Sequence, residues 1–208
     1  MPRDNSSNLS FVTQTLLIFN GAMFLLEIYT GGQFIDKLAL WPFSVPGYSV
    51  PQFQLWQLIS YSFLHGGPMH LLLNMYALWL FGSRMEIEWG SKSYAFYYFV
   101  CVIGAGLAQL IVATLAARSG TIYPTVGASG GVFGLLLAFG LYFPNERLIL
   151  IIPPVIIKAK WFVLIYGLIE LWAGITGSVA GVAHFAHLGG MLFGFLLILY
   201  WRYKASSN

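Results

Sequence analysis

The sequence predicts an all-α fold, a polytopic membrane bundle of six transmembrane helices that forms a single domain over residues 1–208. Two observations predict it. Hydrophobic residues make up 58% of the 208 positions and charged residues only 8%, whereas a soluble domain carries about 25% charged residues. The apolar residues also fall into six runs, each near the roughly 20 residues that one crossing of the bilayer needs. We therefore expect an integral multi-pass membrane protein that contacts membrane lipid.

The six apolar runs define the predicted helices in order. They lie at residues 11–30, 56–82, 93–117, 126–143, 160–176 and 182–201. The polar stretch 1–10 precedes a run with no Ala-x-Ala-like cleavage site after it, so we interpret that run as a retained helix and not a signal peptide. Residues 31–55 form a long first loop whose aromatic side chains suit the headgroup level. The stretch from Leu148 to Ile157 contains Pro153-Pro154 and is not counted as a crossing.

Lysine and arginine predict the orientation of the helices. Six crossings place both termini, including a tail at 202–208, on one side. That side carries eight of the ten basic residues, and the other side carries only Lys37 and Arg118. Positive residues favour the cytoplasm, so both termini are expected there. The net charge is only +3, and the basic residues do not cluster into a stripe along the sequence. Nucleic acid is therefore not an expected partner.

Polar side chains inside a bilayer are costly and mark functional candidates. In the second predicted helix, His70 and Asn74 are four residues apart and share one face. The fourth predicted helix opens with Ser129 between the small residues Gly127-Ala128 and Gly130-Gly131. Glycines leave this serine on a slim helix end, which another helix or a substrate backbone can approach.

The sixth predicted helix carries a histidine on a small face. His187, Gly190 and Gly194 follow a spacing of i, i+3 and i+7, and Gly130 and Gly134 offer a matching face on the fourth helix. Close packing of these two faces would bring the serine and the histidine within hydrogen-bond reach.

These residues suggest nucleophilic catalysis. A serine hydroxyl needs a base to take its proton, and the imidazole of His187 is suitable. The only aspartates, Asp4 and Asp36, lie in the N-terminal tail and the first loop. Glu27 and Glu170 lie in other helices, and nothing in the sequence pairs them with the histidine. The prediction is therefore a Ser–His dyad without a cofactor or metal ion.

The same helices supply candidate donors for an oxyanion. His70 and Asn74, with the backbone N–H of Ser129, can donate hydrogen bonds to a tetrahedral intermediate. Simpler interpretations exist: the serine as a helix-packing residue, the His70–Asn74 pair as interhelical hydrogen bonding, and His184 as a satisfied core residue. His184 competes with His187 as the base, but only His187 has glycines at the matching spacing.

Three motifs together resemble the rhomboid family of intramembrane serine proteases. They are Gly-Ala-Ser-Gly at 127–130, His-Leu-Leu-Leu-Asn at 70–74, and Ala-His-Leu-Gly-Gly at 186–190 followed by Gly194. The resemblance implies a rhomboid-like fold, Ser129 as nucleophile, His187 as general base, and His70 and Asn74 lining the oxyanion hole. It also implies transmembrane protein substrates. His65 matches a further histidine of the family, which we interpret as structural.

Two positions depart from the family pattern. Gln57 follows Trp56 where the family often has arginine, which bears on the packing of the first loop. Phe133 stands where many members carry a tyrosine that stacks on the catalytic histidine, so the ring is kept and the hydroxyl is lost.

The leading hypothesis is hydrolysis of a peptide bond in or near a substrate's transmembrane helix, in the outer half of the bilayer. The alternative is a non-catalytic rhomboid-like module that binds membrane proteins, although such relatives generally lack the serine or the histidine. A third hypothesis, a transporter with a histidine proton path, predicts an internal repeat, and none is evident. A prokaryotic plasma membrane is the expected location, and the oligomeric state is not predicted.

Overall fold

The computed structural model describes residues 10–43, 49–150, 154–178 and 181–207, most of them helical. The helices are α1 (Phe11–Thr30), α2 (Ile35–Leu38), α3 (Gln57–Ser60), α4 (Pro68–Ala77), α5 (Ser83–Trp89), α6 (Ser91–Arg118), α7 (Ser129–Tyr142), α8 (Ala159–Thr176) and α9 (His184–Ser206). A 3₁₀ turn (Tyr61–Phe63) follows α3, and a π-helical turn (Leu78–Gly82) joins α4 to α5. Two strands, β1 (Arg147–Leu150) and β2 (Val155–Lys158), lie between α7 and α8. Most of the N-terminal tail and the centre of the first loop lie outside the described residues.

Within the described parts of the chain, four helices are long and apolar enough to cross a membrane: α1, α6, α8 and α9. α1 coincides with its predicted run, and α6 and α8 lie close to theirs. α9 continues to Ser206, so the predicted tail at 202–208 is largely helical. α7 is apolar but has only 14 residues. The chain is therefore a mostly helical integral membrane protein, and six crossings remain a prediction.

The prediction of one continuous second helix at 56–82 is wrong. The 3₁₀ turn ends at Phe63, the backbone is not helical at 64–67, and a new helix starts at Pro68. Gly66 and Gly67 explain the interruption because glycine loses the most conformational freedom in a helix, and proline suits the first helical position. The new helix continues through α4, the π turn and α5. The interruption places His70 in a first helical turn.

The expectation of an all-α fold is also wrong at residues 147–150 and 155–158, which form strands. β1 and β2 pair antiparallel, with Arg147 opposite Lys158 and Leu150 opposite Val155. Ile149 in β1 and Val155, Ile156 and Ile157 in β2 are β-branched and favour pleated backbone. The strands have four residues each, far fewer than the roughly 9–11 that a strand needs to cross a bilayer. The hairpin therefore agrees with the prediction that this stretch is not a crossing.

Glycine contacts bring α6, α7 and α9 together at the centre of the bundle. A Cβ at Gly190 of α9 would overlap the backbone of Gly130 of α7. Cβ atoms at Gly134 and Gly194 would overlap side chains of α6. The helix axes therefore lie closer than larger residues would permit. The two small faces meet as their spacing predicts, and this contact holds the start of α7 against α9.

Gln57 attaches the first loop to the bundle. Its side-chain oxygen accepts the backbone N–H groups of Trp41 and Gln54, both at 3.2 Å, and its amide nitrogen donates to the Lys37 carbonyl at 3.3 Å. The glutamine that replaces the family's arginine therefore holds the first loop through three hydrogen bonds. Trp41 is buried, so its ring packs within the protein, and the level of the loop in the bilayer stays a prediction.

Candidate active site

Ser129 is the first residue of α7 and is half-buried. Ala128 precedes it with helical backbone, and no side chain caps the helix start. The first N–H groups of a helix have no partner within that helix and carry the positive end of its dipole. The serine hydroxyl therefore lies beside backbone donors that can stabilise negative charge.

His187 lies in the first turn of α9, and its Nε2 is 2.9 Å from Ser129 Oγ. The contact between Gly190 and Gly130 lies one turn further along and sets the spacing of the two helices. His187 is 8% exposed, so little water competes for its ring nitrogens. At this distance a hydroxyl can pass its proton directly to an imidazole.

The ring of Phe133 lies flat on the imidazole of His187. The ring centroids are 4.0 Å apart and the planes differ by 6°. Tyr166 of α8 also stacks on Phe133, with centroids 5.2 Å apart. The contact uses only the ring face, so phenylalanine makes it without the hydroxyl that a tyrosine would add.

The expectation that no carboxylate pairs with His187 is wrong. Glu170 of α8 places Oε2 at 2.9 Å from His187 Nδ1 and at 2.6 Å from His184 Nδ1. Its side chain is buried, as are both histidines. No sequence spacing relates α8 to α9, because their packing is tertiary. A signal was nevertheless present, since a glutamate in an apolar helix needs a buried partner.

Glu170, His184 and His187 also offer three potential metal-ligand atoms within 4.8 Å of one another. In a tetrahedral zinc site with bonds near 2.0–2.1 Å, ligand atoms lie about 3.3 Å apart. Here the carboxylate oxygen lies at 2.6 and 2.9 Å from the two nitrogens, which are hydrogen-bond distances. The geometry therefore fits a hydrogen-bonded cluster better than a preformed zinc site.

His70 lies against Gly127, two residues before the serine. A Cβ at Gly127 would lie 2.8 Å from His70 Nε2, and the φ of +129° at this position favours glycine. His70 Nδ1 accepts the N–H of Gly66 at 3.3 Å. We therefore assign the ring proton to Nε2, and this N–H faces the turn that leads into Ser129.

Asn74 is buried one turn along α4 from His70. Its Nδ2 donates to the His70 carbonyl at 3.0 Å. An amide nitrogen carries two hydrogens, so this bond uses one of them. Both residues lie on the same face of the helix, as their four-residue spacing predicts.

Glu27 and His65 form a separate buried contact. The backbone N–H of His65 donates to Glu27 Oε2 at 3.1 Å, which joins α1 to the segment before α4. The His65 ring lies edge-on to that of His70, with centroids 5.2 Å apart. These contacts fit a structural role for His65.

The chain matches a family model described as Rhomboid domain over residues 52–204. It is 35% identical to RHOMBOID-like protein 4 of Arabidopsis thaliana over 150 residues, which cover 68% of this chain and 33% of that protein. It is 32% identical to Rhomboid protein 1, mitochondrial, of Saccharomyces cerevisiae over 139 residues, covering 67% of this chain and 40% of that protein. It is 24% identical to Rhomboid protease GlpG of Yersinia pestis over 200 residues, covering 95% of this chain and 64% of that protein.

The chain thus spans between about a third and two thirds of the length of these relatives. They come from a plant, from yeast, where the protein is named mitochondrial, and from a bacterium. The expected prokaryotic plasma membrane is therefore not supported. The family match includes every residue from α3 to the end of α9's apolar part, and so contains all of the candidate site.

Proposed function

This chain belongs to the rhomboid family, and from that membership we propose that it is an intramembrane serine endopeptidase. It hydrolyses peptide bonds in or near the transmembrane segments of other membrane proteins. The observation that carries the proposal is the 2.9 Å contact between Ser129 Oγ and His187 Nε2. Rhomboid protease GlpG, whose name states that it is a protease, aligns with 95% of the chain.

Acylation begins when Ser129 Oγ attacks the carbonyl carbon of the scissile peptide bond. The hydroxyl proton moves to His187 Nε2 as the new C–O bond forms. The tetrahedral intermediate then collapses, the C–N bond breaks, and the imidazolium gives its proton to the leaving amine. The products of this half-reaction are an acyl-serine and a new N-terminus.

Deacylation repeats these roles with water. His187 takes a proton from water as the water oxygen attacks the acyl carbon. The ester C–O bond then breaks and the proton returns to Ser129 Oγ, which leaves a new C-terminal carboxyl group. Neither half-reaction needs an oxidant, a reductant or a cofactor.

The oxyanion lies between the start of α7 and the His70 ring. The Ser129 N–H and the Nε2–H of His70 donate to it, and the second hydrogen of the Asn74 amide is a third donor. Such donors act strongly because they are fixed before charge develops in a site that excludes most water. Gly127 leaves room for the His70 ring beside the serine.

The site lies in the outer half of the bilayer, and both termini lie in the cytoplasm. The excess of basic residues on the side of the termini supports this orientation. With that orientation α7 begins near the extracytoplasmic surface, from which water has the shortest route to Ser129. A substrate helix must unwind locally there, because a helical peptide bond is shielded from attack.

Labelling of detergent-solubilised protein with a fluorophosphonate probe tests the proposal. We expect the parent to be labelled and Ser129→Ala and His187→Ala to be unlabelled, because both members are needed for an activated hydroxyl. The matched control is Ser119→Ala, which removes an exposed serine at the end of α6 and should be labelled like the parent.

The same variants are then compared for cleavage of a transmembrane reporter in proteoliposomes. Cleavage by the parent and not by Ser129→Ala supports the protease. Cleavage by Ser129→Ala at the parental rate contradicts the proposed nucleophile. A folded parent that is neither labelled nor able to cleave, yet retains the reporter, favours the non-catalytic binding module.

A further inference from the structure

We propose that Glu170 is a positioning residue that joins Ser129 and His187 in a Ser–His–Glu triad. This role rests on the proposed function. It extends the expected Ser–His dyad by a carboxylate that takes no part in the reaction steps given above. Glu170 touches neither substrate nor the reacting atoms, and it acts through the imidazole.

The three residues form one line of contacts across three helices. Ser129 at the start of α7 meets His187 Nε2 at 2.9 Å, and His187 Nδ1 meets Glu170 Oε2 of α8 at 2.9 Å. Glu170 is 5% exposed. Each distance lies within the range of N–H···O and O–H···N hydrogen bonds, so the serine and the carboxylate contact opposite nitrogens of one ring.

This arrangement fixes the tautomer that a general base needs. A carboxylate only accepts hydrogen bonds, so the proton of the neutral ring is held on Nδ1 and the lone pair on Nε2 faces Ser129 Oγ. When Nε2 takes the serine proton, the ring becomes positive beside the negative Glu170. The carboxylate therefore favours the charged imidazolium more than the neutral ring, which lowers the barrier to proton transfer.

His184 holds the carboxylate in place. Its Nδ1 lies 2.6 Å from the same Oε2 atom, so two imidazoles converge on one oxygen. Hydrogen bonds to both rings offset part of the cost of placing a carboxylate inside a membrane protein. Phe133 restricts the plane of the His187 ring through stacking, and Glu170 restricts its rotation within that plane.

Glu170→Gln tests the triad by replacing the carboxylate with an amide of nearly the same shape. An amide lacks the negative charge and can donate to Nδ1, which places the ring proton on the wrong nitrogen. The corresponding carboxylate-to-amide change lowers kcat by about 10⁴ in a soluble serine protease. We expect kcat for a transmembrane reporter to fall by at least about 10²-fold with KM little changed, since substrate contacts are untouched.

Two further variants separate positioning from folding. Glu170→Asp keeps the charge on a shorter side chain, and we expect it to recover at least about tenfold in kcat over Glu170→Gln, because the carboxylate accounts for most of the effect. Glu27→Gln also removes a buried carboxylate from a helix, but this one contacts the His65 backbone. It should keep kcat near that of the parent.

All rates are taken per folded protein, counted from the monodisperse fraction on size exclusion. A Glu170→Gln enzyme with kcat within fivefold of the parent overturns the triad and leaves the Ser–His dyad intact. A loss of kcat equal in Glu170→Asp and Glu170→Gln also overturns it. If the parent itself neither cleaves nor is labelled, the proposed function fails, which is a different result from failure of the triad alone.

Discussion

Substitution of Gly127 by alanine should disable the oxyanion site through His70. The new Cβ would lie 2.8 Å from both Cε1 and Nε2 of the His70 ring, about 0.7 Å short of the ~3.5 Å at which carbon atoms attract one another. The ring is held on its other side by the Gly66 N–H at 3.3 Å. The methyl group can therefore be accommodated only by moving the ring and weakening that bond.

The expected cost has two parts. Holding alanine at a φ of +129° strains the backbone by about 1–3 kcal/mol, which lowers stability. Displacing the ring removes one oxyanion donor, which costs about 10²–10³ in kcat in a studied protease. In enzymes generally, displacing a reacting group by about 1 Å lowers the rate by up to about 10²-fold. We therefore expect Gly127→Ala to lose roughly 10²–10³ in kcat.

A double-mutant cycle with His70→Ala assigns the loss to the ring. Because both substitutions remove the same donor, the double variant should lose little more kcat than either single one, and the two effects should be strongly non-additive. Gly31→Ala is the matched control, because Gly31 has a φ of +63° and no atom within 4 Å of its added Cβ. Additive losses of kcat in the cycle, or an unaffected Gly127→Ala enzyme, would refute the role given to His70.

Two other substitutions test a buried carboxylate that joins α5 to α1 and α6, and the ring that stacks on His187. Glu86→Gln should lower the thermal unfolding midpoint and reduce the free energy of unfolding by roughly 2–4 kcal/mol, because the carboxylate accepts four hydrogen bonds at 2.6–2.9 Å from Val12, Thr13 and Ser91. The control Glu88→Gln changes an exposed carboxylate and should leave the midpoint unchanged. Equal midpoints in the two variants would contradict the stabilising role of Glu86. Phe133→Leu should reduce kcat roughly 2- to 13-fold, since an aromatic stack contributes about 0.5–1.5 kcal/mol. Phe133→Tyr keeps the ring and should keep the parental kcat. Equal kcat values in the two variants would show that stacking on His187 does not contribute to the rate.

Features that depend on local sequence could be predicted well. The limits of α1, α6 and α8 follow from unbroken apolar runs, because a helix satisfies its own backbone in lipid. The contact between Ser129 and His187 follows from the glycines at 130 and 190, since small residues let helices approach. The helix limits depend on residues that are close in sequence, and the serine–histidine contact depends on a short spacing pattern within each of two helices.

The prediction of one continuous second helix is wrong because its apolar run was treated as uniform. The run at 56–82 contains Gly66-Gly67-Pro68, which carries the signal of a helix start. The interpretation of 148–157 took Pro153-Pro154 into account but predicted no strands, although the β-branched residues Ile149, Val155, Ile156 and Ile157 favour them. Composition alone does not distinguish these cases.

Glu170 was missed for a different reason. Its partners lie 14 and 17 positions further along the chain, on a helix whose rotation relative to α8 no local pattern determines. The sequence does show that a glutamate in an apolar helix needs a partner, but it does not show which of several histidines in the chain provides it.

Fold and chemistry share contacts in this bundle, and this affects how a substitution at Glu170 is interpreted. Lipid provides no hydrophobic force between helices, so packing and interhelical hydrogen bonds hold them together. Glu170 Oε2 accepts hydrogen bonds from His184 Nδ1 and His187 Nδ1. These bonds join α8 to α9 and also orient the base. Removing the carboxylate should therefore loosen α8 as well as the imidazole. Loosening lowers the folded fraction, whereas loss of the tautomer lowers kcat in molecules that remain folded, so only kcat per folded protein reports on the chemistry.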